Sequence, residues 1–129
     1  TALLTALVLY LMTPRTEIRS LTGFRCYFVP RCEVNYQSYH RDNDLYNMGI
    51  YKLNGQDAAR FVYWAQENGW SPMPLSDEAL TSGMLDEETC PEAAKIKQVT
   101  QGFWKGFHGS YLYVFDSQTA TLYIRKMPR

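Results

Sequence analysis

The stretch YLYVFDSQTATLYIRKM, residues 111–127, decides the fold of this chain. Two runs rich in aromatic and β-branched residues flank Asp116–Ala120, a spacing that predicts a β-hairpin with a loop of four or five residues. Side chains alternate between the two faces of a strand, and both faces are apolar here: Tyr111, Tyr113 and Phe115 on one, Leu112 and Val114 on the other. The hairpin is therefore predicted to lie centrally in a sheet or to be covered on both sides.

Further strands are predicted upstream of the hairpin. Phe24–Val29 and Glu33–Tyr39 have strand-like composition on either side of a turn at Pro30. Leu45–Leu53 is predicted as another strand, which Gly49 weakens. Together these segments predict an antiparallel meander.

Three helices are predicted between the strands. Residues 56–68 carry apolar side chains at helical spacing, end at Gly69, and are followed by Trp70, which is expected to fold back onto the last turn as part of the core. Ser76 is expected to cap a short helix over residues 76–82. Thr89 and Glu92 have the spacing of a capping box, which predicts a helix over residues 91–101. The predicted class is α+β: a small antiparallel sheet with a C-terminal aromatic hairpin, one main helix and two short helices packed on it, preceded by an apolar N-terminal helix.

Composition excludes two classes of protein. The chain has 129 residues, a length typical of one domain, and its 13 basic and 13 acidic residues give a formal net charge of zero. A neutral chain lacks the positive field of a dedicated nucleic-acid-binding domain, so no nucleic-acid partner is expected. An aromatic content of 15% excludes an intrinsically disordered chain.

The N-terminal segment is uncharged and almost wholly apolar from Ala2 to Met12 and is followed by Thr13 and Pro14, which predict the end of a helix. We expect residues 1–13 to form an apolar N-terminal helix and residues 14–129 to form a single α+β domain. Eleven helical residues span roughly 17 Å, against roughly 30 Å for a bilayer core. Because the chain opens on Thr1, we interpret residues 1–13 as the remnant of a signal anchor or signal peptide that contacts the membrane. The alternative is a helix buried against the sheet.

Three basic residues bear on the side of the membrane. Arg15, Arg19 and Arg25 follow the apolar segment with only Glu17 opposing them, and the positive-inside rule would keep them cytoplasmic. Basic residues upstream in a typical signal anchor would compete with them. We expect the membrane-anchored domain to be extracytoplasmic.

The three cysteines leave two interpretations open. A disulfide between Cys26 and Cys32 would require a chain reversal at Pro30, because six residues of straight strand separate Cα atoms by about 20 Å. The alternative is three separate thiols, since Cys90 makes the count odd.

Neither catalysis nor metal binding has a specific sequence pattern. The loop His40–Asp44 holds an imidazole and two carboxylates, but the calcium-loop ligands are out of register, and a solvated turn is the favoured interpretation. His40 and His108 are the only general bases for a cysteine nucleophile, and nothing local pairs them with one. We therefore predict no enzyme, no catalytic residue, no metal site and no cofactor.

The segment Gly102–Gly109 sets three aromatic residues and a histidine among glycines. Core packing, with the glycines making turns, is the first interpretation. The functional interpretation is a stacking platform for a sugar, a peptide or a protein. Under that hypothesis the residues predicted to bind a ligand or partner are Trp104, Phe107, His108 and Trp70.

A second surface is acidic. Between residues 77 and 92 lie six acids and no base. This segment is interpreted either as a solvated surface or as a face for a basic partner protein.

Two segments carry a resemblance that covers about half of the chain. They are NGWSPMPLSDEAL, after the main helix, and GSYLYVFDSQTATLYIRK; the matching positions are Trp70, Pro72, Pro74, Leu75 and Ser76, then Phe115, Asp116, Thr119, Thr121, Leu122 and Tyr123. The pattern is similar to that of a loose group of short, uncharacterised, N-terminally membrane-anchored proteins of Gram-positive bacteria. Met73 departs from it, as does the cysteine-bearing N-terminal half. The resemblance implies anchoring and fold, and it implies no catalytic residue.

These observations lead to two functional hypotheses. The first is a small cell-envelope domain that acts by binding an extracellular protein or small ligand rather than by catalysis. The second is a soluble cytosolic regulatory or immunity-type protein that binds a partner through the acidic surface. The two differ in where the protein resides and in the state of its first twelve residues.

Overall fold

The computed structural model describes residues 2–39, 45–107 and 110–127. The helices are α1 (Ala2–Thr22), α2 (Gly55–Glu67), α3 (Asp77–Leu80) and α4 (Ala93–Lys97), with a 3-10 helix at Gly83–Leu85. The strands are β1 (Arg31–Tyr39), β2 (Leu45–Lys52), β3 (Ser71–Pro72), β4 (Gly102–Phe107), β5 (Tyr111–Asp116) and β6 (Thr121–Lys126). They form one antiparallel sheet in the order β1-β2-β6-β5-β4-β3, which confirms the α+β class.

The aromatic hairpin lies at the centre of this sheet, as predicted. β5 pairs with β6 across the loop of residues 117–120, so that Tyr113 lies opposite Ile124 and Phe115 opposite Leu122. β4 and β2 pair with the outer sides of the hairpin. Both strands of the hairpin are thus hydrogen-bonded on both sides.

Helices cover both faces of the sheet. On one face, the side of α3, the 3-10 helix and α4, the core includes Met48, Met84, Leu85, Ile96, Leu112 and Val114. On the other face, the side of α1 and α2, it includes Ile18, Phe24, Phe61, Trp70, Phe115 and Leu122. The alternation of β5 sends Leu112 and Val114 to the first face and Tyr113 and Phe115 to the second, which accounts for the two-sided cover.

The main helix, α2, forms where it is predicted. Its N-cap is Asn54, whose side chain accepts a hydrogen bond from the Gln56 amide. At its other end Gly69 has a φ of +79°. The Trp70 amide donates to the Ala65 carbonyl at 3.1 Å, which is the 6→1 hydrogen bond of a Schellman motif. Trp70 is buried against Phe61, with ring centroids 5.0 Å apart, so its core packing is confirmed.

Helix α1 does not end at Pro14, and that prediction is wrong. Proline removes one intrahelical donor, but the helix continues to Thr22 because the turns beyond Pro14 pack on the sheet, where Ile18 is fully buried. The division between residues 1–13 and 14–129 therefore falls inside a helix. At the start of α1 the side chains of Leu3 and Leu4 are 83% and 60% exposed.

The predicted strand Phe24–Val29 is also wrong, because this segment is an irregular loop. The amides of Tyr27 and Phe28 donate to the two carboxylate oxygens of Asp57, at 3.0 and 2.9 Å. A buried side chain from α2 thus takes the hydrogen bonds that a neighbouring strand would otherwise make.

Residues 102–107 form strand β4 rather than the expected turns. Gly102 has a φ of +131°, and a Cβ atom at this position would lie 1.8 Å from the Phe115 carbonyl oxygen. Glycine is needed here because β4 begins in close contact with the backbone of β5.

The prediction for the first short helix is confirmed, and the prediction for the second is wrong in its length and its cap. Ser76 caps α3 as predicted, accepting a hydrogen bond from the Ala79 amide at 3.2 Å. α4 is shorter than predicted and lacks the capping box, since the Thr89 hydroxyl donates to the Asp86 carbonyl. The Glu92 carboxylate instead accepts a 2.5 Å hydrogen bond from the Tyr36 hydroxyl on β1. A contact between distant parts of the chain replaces a local one.

Substitution of the hairpin core tests this arrangement. Leu122 is fully buried between the hairpin and α2. Leu122→Asp is expected to unfold the protein, because a buried unpaired charge costs several kcal/mol against a total stability of roughly 5–15 kcal/mol. Gln118→Asp, in the exposed hairpin loop, is the control and should leave the thermal unfolding curve nearly unchanged. An unaltered curve for Leu122→Asp would contradict the buried hairpin.

Candidate functional site

The residues predicted to form a binding platform are not gathered in one place. Trp104 is half-buried on the face of the sheet that carries α4, whereas Trp70 is buried on the opposite face. Phe107 is the last residue of β4. His108 and the loop His40–Asp44 lie outside the described residues. The two tryptophans cannot contribute to a single stacking surface, while Trp104 and Phe107 share one strand.

The strand that carries Trp104 has an open edge. β3 is only two residues long and pairs with Phe103 and Trp104 alone. The Gly102 carbonyl accepts from the Met73 amide on this side, and residues two apart along a strand direct their backbone groups to the same side. The backbone groups of Gly106 therefore point to this edge, where no strand of the described chain pairs with them. We call residues 105–107 the open β4 edge.

A buried arginine lies on β6, in the half of the sheet that also contains β1 and β2. Arg125 of β6 is 1% exposed, its Nε donates to the Met84 carbonyl at 3.0 Å, and its guanidinium lies 5.1 Å from the Tyr46 ring centroid. These contacts tie the 3-10 helix to the sheet. Strand alternation places Arg125 on the same face as Thr121 and Tyr123. Because the sequence predicts a hairpin that is covered on both faces, this alternation indicates that Arg125 is buried.

Beside Arg125 lies a small polar cluster of Tyr36, Cys90 and Glu92. The Cys90 sulfur is 3.9 Å from a Glu92 carboxylate oxygen and 3.9 Å from the Met48 sulfur. Burial raises the pKa of the Cys90 thiol, and burial together with the hydrogen bond to Glu92 raises the pKa of Tyr36. Both groups are therefore protonated at neutral pH. The cluster joins β1 to α4.

A third polar arrangement lies on the face of the sheet that carries α2. Arg60 forms a 2.8 Å ion pair with the buried carboxylate of Asp57, and its guanidinium stacks 3.6 Å from the Tyr27 ring centroid. The same guanidinium donates to the Arg25 carbonyl at 3.1 Å. These contacts fix the loop that joins α1 to β1.

Where this loop meets α1 there is a cavity of about 220 Å³ lined by Arg15, Thr16, Arg19, Arg25 and Cys26, which we call the basic pocket. Arg15 and Arg19 are one helical turn apart and so share a face of α1. Arg15 Nε donates to the Cys26 carbonyl at 3.0 Å, which holds the loop against the helix. The three arginines were visible in the sequence only as residues flanking the apolar segment, because loop closure brings Arg25 to the other two.

Two other cavities lie on the side of the sheet that carries α4. The larger, about 690 Å³, is a shallow groove whose lining includes Leu80, Leu85 and three acids of the predicted acidic surface, Asp86, Glu87 and Glu88. Lys97 also lines it and lies 3.7 Å from Glu87. The smaller, about 290 Å³, has a mixed lining that includes Lys52, Lys95, Glu33 and Asp116. Both cavities are lined by acidic and basic residues together, so neither presents a single sign of charge to a ligand.

The three cysteines are free thiols. Cys26 and Cys90 are buried, and Cys32 is exposed. Burial, followed by the nearby Asp57 carboxylate, raises the pKa of Cys26 to about 11. Partial desolvation by neighbouring atoms, followed by the charge of Glu17, also raises the pKa of the exposed Cys32. High thiol pKa values make these side chains weak nucleophiles at neutral pH.

The described residues contain neither a cluster of metal ligands nor a helix suited to span a membrane. No three His, Cys, Asp or Glu side chains there are grouped so as to hold a metal ion. Within the same ranges, no helix combines the length and the apolar character needed to cross a bilayer. Comparisons of the chain with protein-family models, with curated proteins and with solved structures found no match.

Thiol labelling tests the placement of the cysteines. In the native protein at mildly alkaline pH, one thiol is expected to react quickly with an aromatic disulfide reagent, because only Cys32 is exposed, and all three should react after unfolding. Cys32→Ser should remove the fast phase and leave the slow one. Fast reaction of two or more thiols, or a fast phase that persists in Cys32→Ser, would contradict this placement.

Proposed function

We propose that this chain is a domain held at the membrane by the apolar half of α1, on the extracytoplasmic side, and that it acts by binding a partner rather than by catalysis. The observation that carries the proposal is the division of α1. Beyond Pro14 the helix packs on the sheet through Ile18, whereas Leu3 and Leu4 at its start are exposed. One helix thus belongs to the core at one end and offers apolar side chains at the other.

Energetics favour an apolar environment for the start of α1. Burying one leucine side chain is worth about 1.5–3 kcal/mol relative to leaving it in water. Residues 2–12 contain five leucines, one valine and one methionine, so their transfer to hydrocarbon would be strongly favourable. A core position would have covered Leu3 and Leu4, so their exposure supports membrane contact over the buried-helix alternative.

Chemistry of the buried polar groups supports binding over catalysis. The thiols of Cys26 and Cys90 are buried and have raised pKa values. Asp57 is engaged by two backbone amides and by Arg60, and Glu92 accepts from Tyr36. Asp57 and Glu92 thus have structural partners, and a thiol with a raised pKa is a weak nucleophile at neutral pH.

We place the partner contact at the open β4 edge and the adjacent Trp104. An unpaired strand edge binds extended polypeptide by adding a strand, and side chains beside it supply specificity. The opposite edge of the sheet, β1, is less suited because it carries charged Arg31 and Glu33 and a bulge between Cys32 and Val34. The proposed partner is an extended segment of an extracellular protein.

The acidic groove supports the second hypothesis, a soluble regulatory protein that binds a basic partner. Asp86, Glu87 and Glu88 lie together beside apolar Leu80 and Leu85 on the same surface. This arrangement suits a basic peptide with one apolar side chain. It becomes the favoured function if the protein proves not to associate with membranes.

Two charges at the start of α1 test the membrane proposal. With the full reading frame expressed in bacterial cells, the protein is expected in the membrane fraction, accessible to protease added to intact cells. Leu3→Asp combined with Leu4→Asp should move it to the soluble fraction, because each acid in the bilayer core costs roughly 2.5–3.5 kcal/mol. The melting temperature of the purified variant should be unchanged, since neither leucine belongs to the folded core.

Ala94→Asp combined with Gln98→Asp is the matched control, since both positions are exposed, the first on α4 and the second at its C-cap. This variant should stay in the membrane fraction. Wild-type protein in the soluble fraction would refute the membrane proposal, and a membrane-bound protein shielded from protease would refute the extracytoplasmic side.

Photo-cross-linking tests the binding surface. A photoreactive amino acid in place of Lys105, at the open β4 edge, is expected to give a discrete adduct with one protein in intact cells. The same residue in place of the exposed Lys95 on α4 should give none. Equal adducts at both positions, or none at position 105, would argue against an edge-binding function.

A further inference from the structure

The basic pocket is a cavity whose lining carries one sign of charge. Three arginines, Thr16 and Cys26 line it, and no acidic residue does. Arg15 is held in place by its bond to the Cys26 carbonyl, and Arg19 and Arg25 are exposed. Across the part of the chain that the structure describes, neither Arg19 nor Arg25 forms an ion pair.

Two acids of α1 and α2, Glu17 and Asp57, do not line the pocket. Glu17 acts on Tyr51 and Cys32, whose pKa values its charge helps to raise, so it lies toward β1 and β2. Asp57 is buried, with its carboxylate bonded to two backbone amides and to Arg60. Within the described residues the charges of Arg19 and Arg25 are therefore not neutralised by an ion pair, which is the condition for attracting an anion.

Apolar segments of the chain flank the residues of the pocket on two sides. The loop that supplies Arg25 continues into Tyr27, Phe28 and Val29, which are 64%, 44% and 44% exposed. In the other direction, α1 leads from Arg15 back through the apolar residues 2–12. Tyrosine and other aromatic residues are common at the level of lipid headgroups, next to basic side chains that reach phosphate.

The charges of the molecule are segregated across the sheet. The basic pocket lies on the side of α1, whereas the six acids between residues 77 and 92 lie on α3 and in the segment that leads from it to α4, on the side of the opposite face. An anionic surface therefore attracts the side of the molecule that carries the basic pocket more strongly than the side that carries these acids.

We propose that the basic pocket binds the phosphate of an anionic phospholipid in the membrane that α1 enters. This inference rests on the proposed membrane attachment and adds the class of lipid that the domain prefers. A phosphate oxygen accepts hydrogen bonds from paired guanidinium groups, and Arg19 and Arg25 supply such a pair beside an apolar segment. Free inorganic phosphate offers the same chemistry, but the exposed apolar loop and the apolar half of α1 select the lipid.

Vesicle flotation of the full chain tests the proposal. Binding is measured to neutral phosphatidylcholine vesicles and to vesicles in which part of that lipid is replaced by phosphatidylglycerol. The wild type is expected to bind both, and to bind the anionic vesicles more tightly. Arg19→Gln combined with Arg25→Gln should lose roughly 30-fold in affinity for the anionic vesicles, about fivefold for each charge, and should keep the wild-type affinity for the neutral ones.

Lys95→Gln combined with Lys97→Gln removes the same charge from α4 and is the control. It should bind both kinds of vesicle like the wild type, because these lysines lie on the opposite side of the sheet. Loss of affinity for anionic vesicles equal to that of the arginine variant would mean that net charge alone is responsible, and would overturn the pocket.

The outcomes separate this inference from the proposed function. Equal binding of the wild type to both vesicles supports attachment through α1 and overturns the lipid preference. Binding to anionic vesicles alone, lost in the arginine variant, supports the pocket and overturns attachment through α1. Inorganic phosphate, compared with chloride at equal ionic strength, should not release the wild type; selective release would show that the pocket takes free phosphate and would overturn the lipid assignment.

Discussion

The structure depends on one constraint, the apolar character of both faces of the β5–β6 hairpin. Neither face of this hairpin can be left in water, so the chain must supply cover twice. α2 and the second half of α1 cover one face, and the short helices between residues 77 and 97 cover the other. The remaining elements follow from this requirement: β2 and β4 complete the sheet on either side of the hairpin, and the buried Arg125 ties the 3-10 helix to it.

Local patterns in the sequence were sufficient for some elements and insufficient for others. The hairpin, α2 with its Gly69 stop, and the Ser76 cap were predicted because their determinants lie within a few residues of each other. The loop Phe24–Val29 was mistaken for a strand because its amides are bonded by Asp57, some thirty residues away. Gly102–Phe107 was mistaken for turns because the reason for its first glycine is not local. Gly102 is required by the close approach of the Phe115 backbone, which comes near only in the folded sheet.

The candidate sites show the same division. Trp104 was identified from composition, and the structure places it beside the open β4 edge, but Trp70 lies on the other face in the core. The basic pocket was out of reach of sequence reasoning, since it requires the loop after α1 to fold back through the Arg15 bond to Cys26. Arg15 and Arg19 at helical spacing after an apolar segment are the part of it that a sequence can display.

In the function that we propose, α1 is one helix with two environments, protein beyond Pro14 and lipid before it. Both halves form a continuous helix, so the proposed attachment would fix the orientation of the domain through the helix itself. The basic pocket is lined by Arg15, Thr16 and Arg19, directly beyond Pro14, where the two proposed environments would meet.

Hydrogen exchange of the full chain, read by mass spectrometry with and without vesicles, tests this claim most directly. The account predicts that amides of residues 15–22 are protected in both conditions and that amides of residues 2–12 gain protection only when vesicles are present. Protection of residues 2–12 that is equal in the two conditions, or residues 15–22 that exchange freely without vesicles, would contradict it.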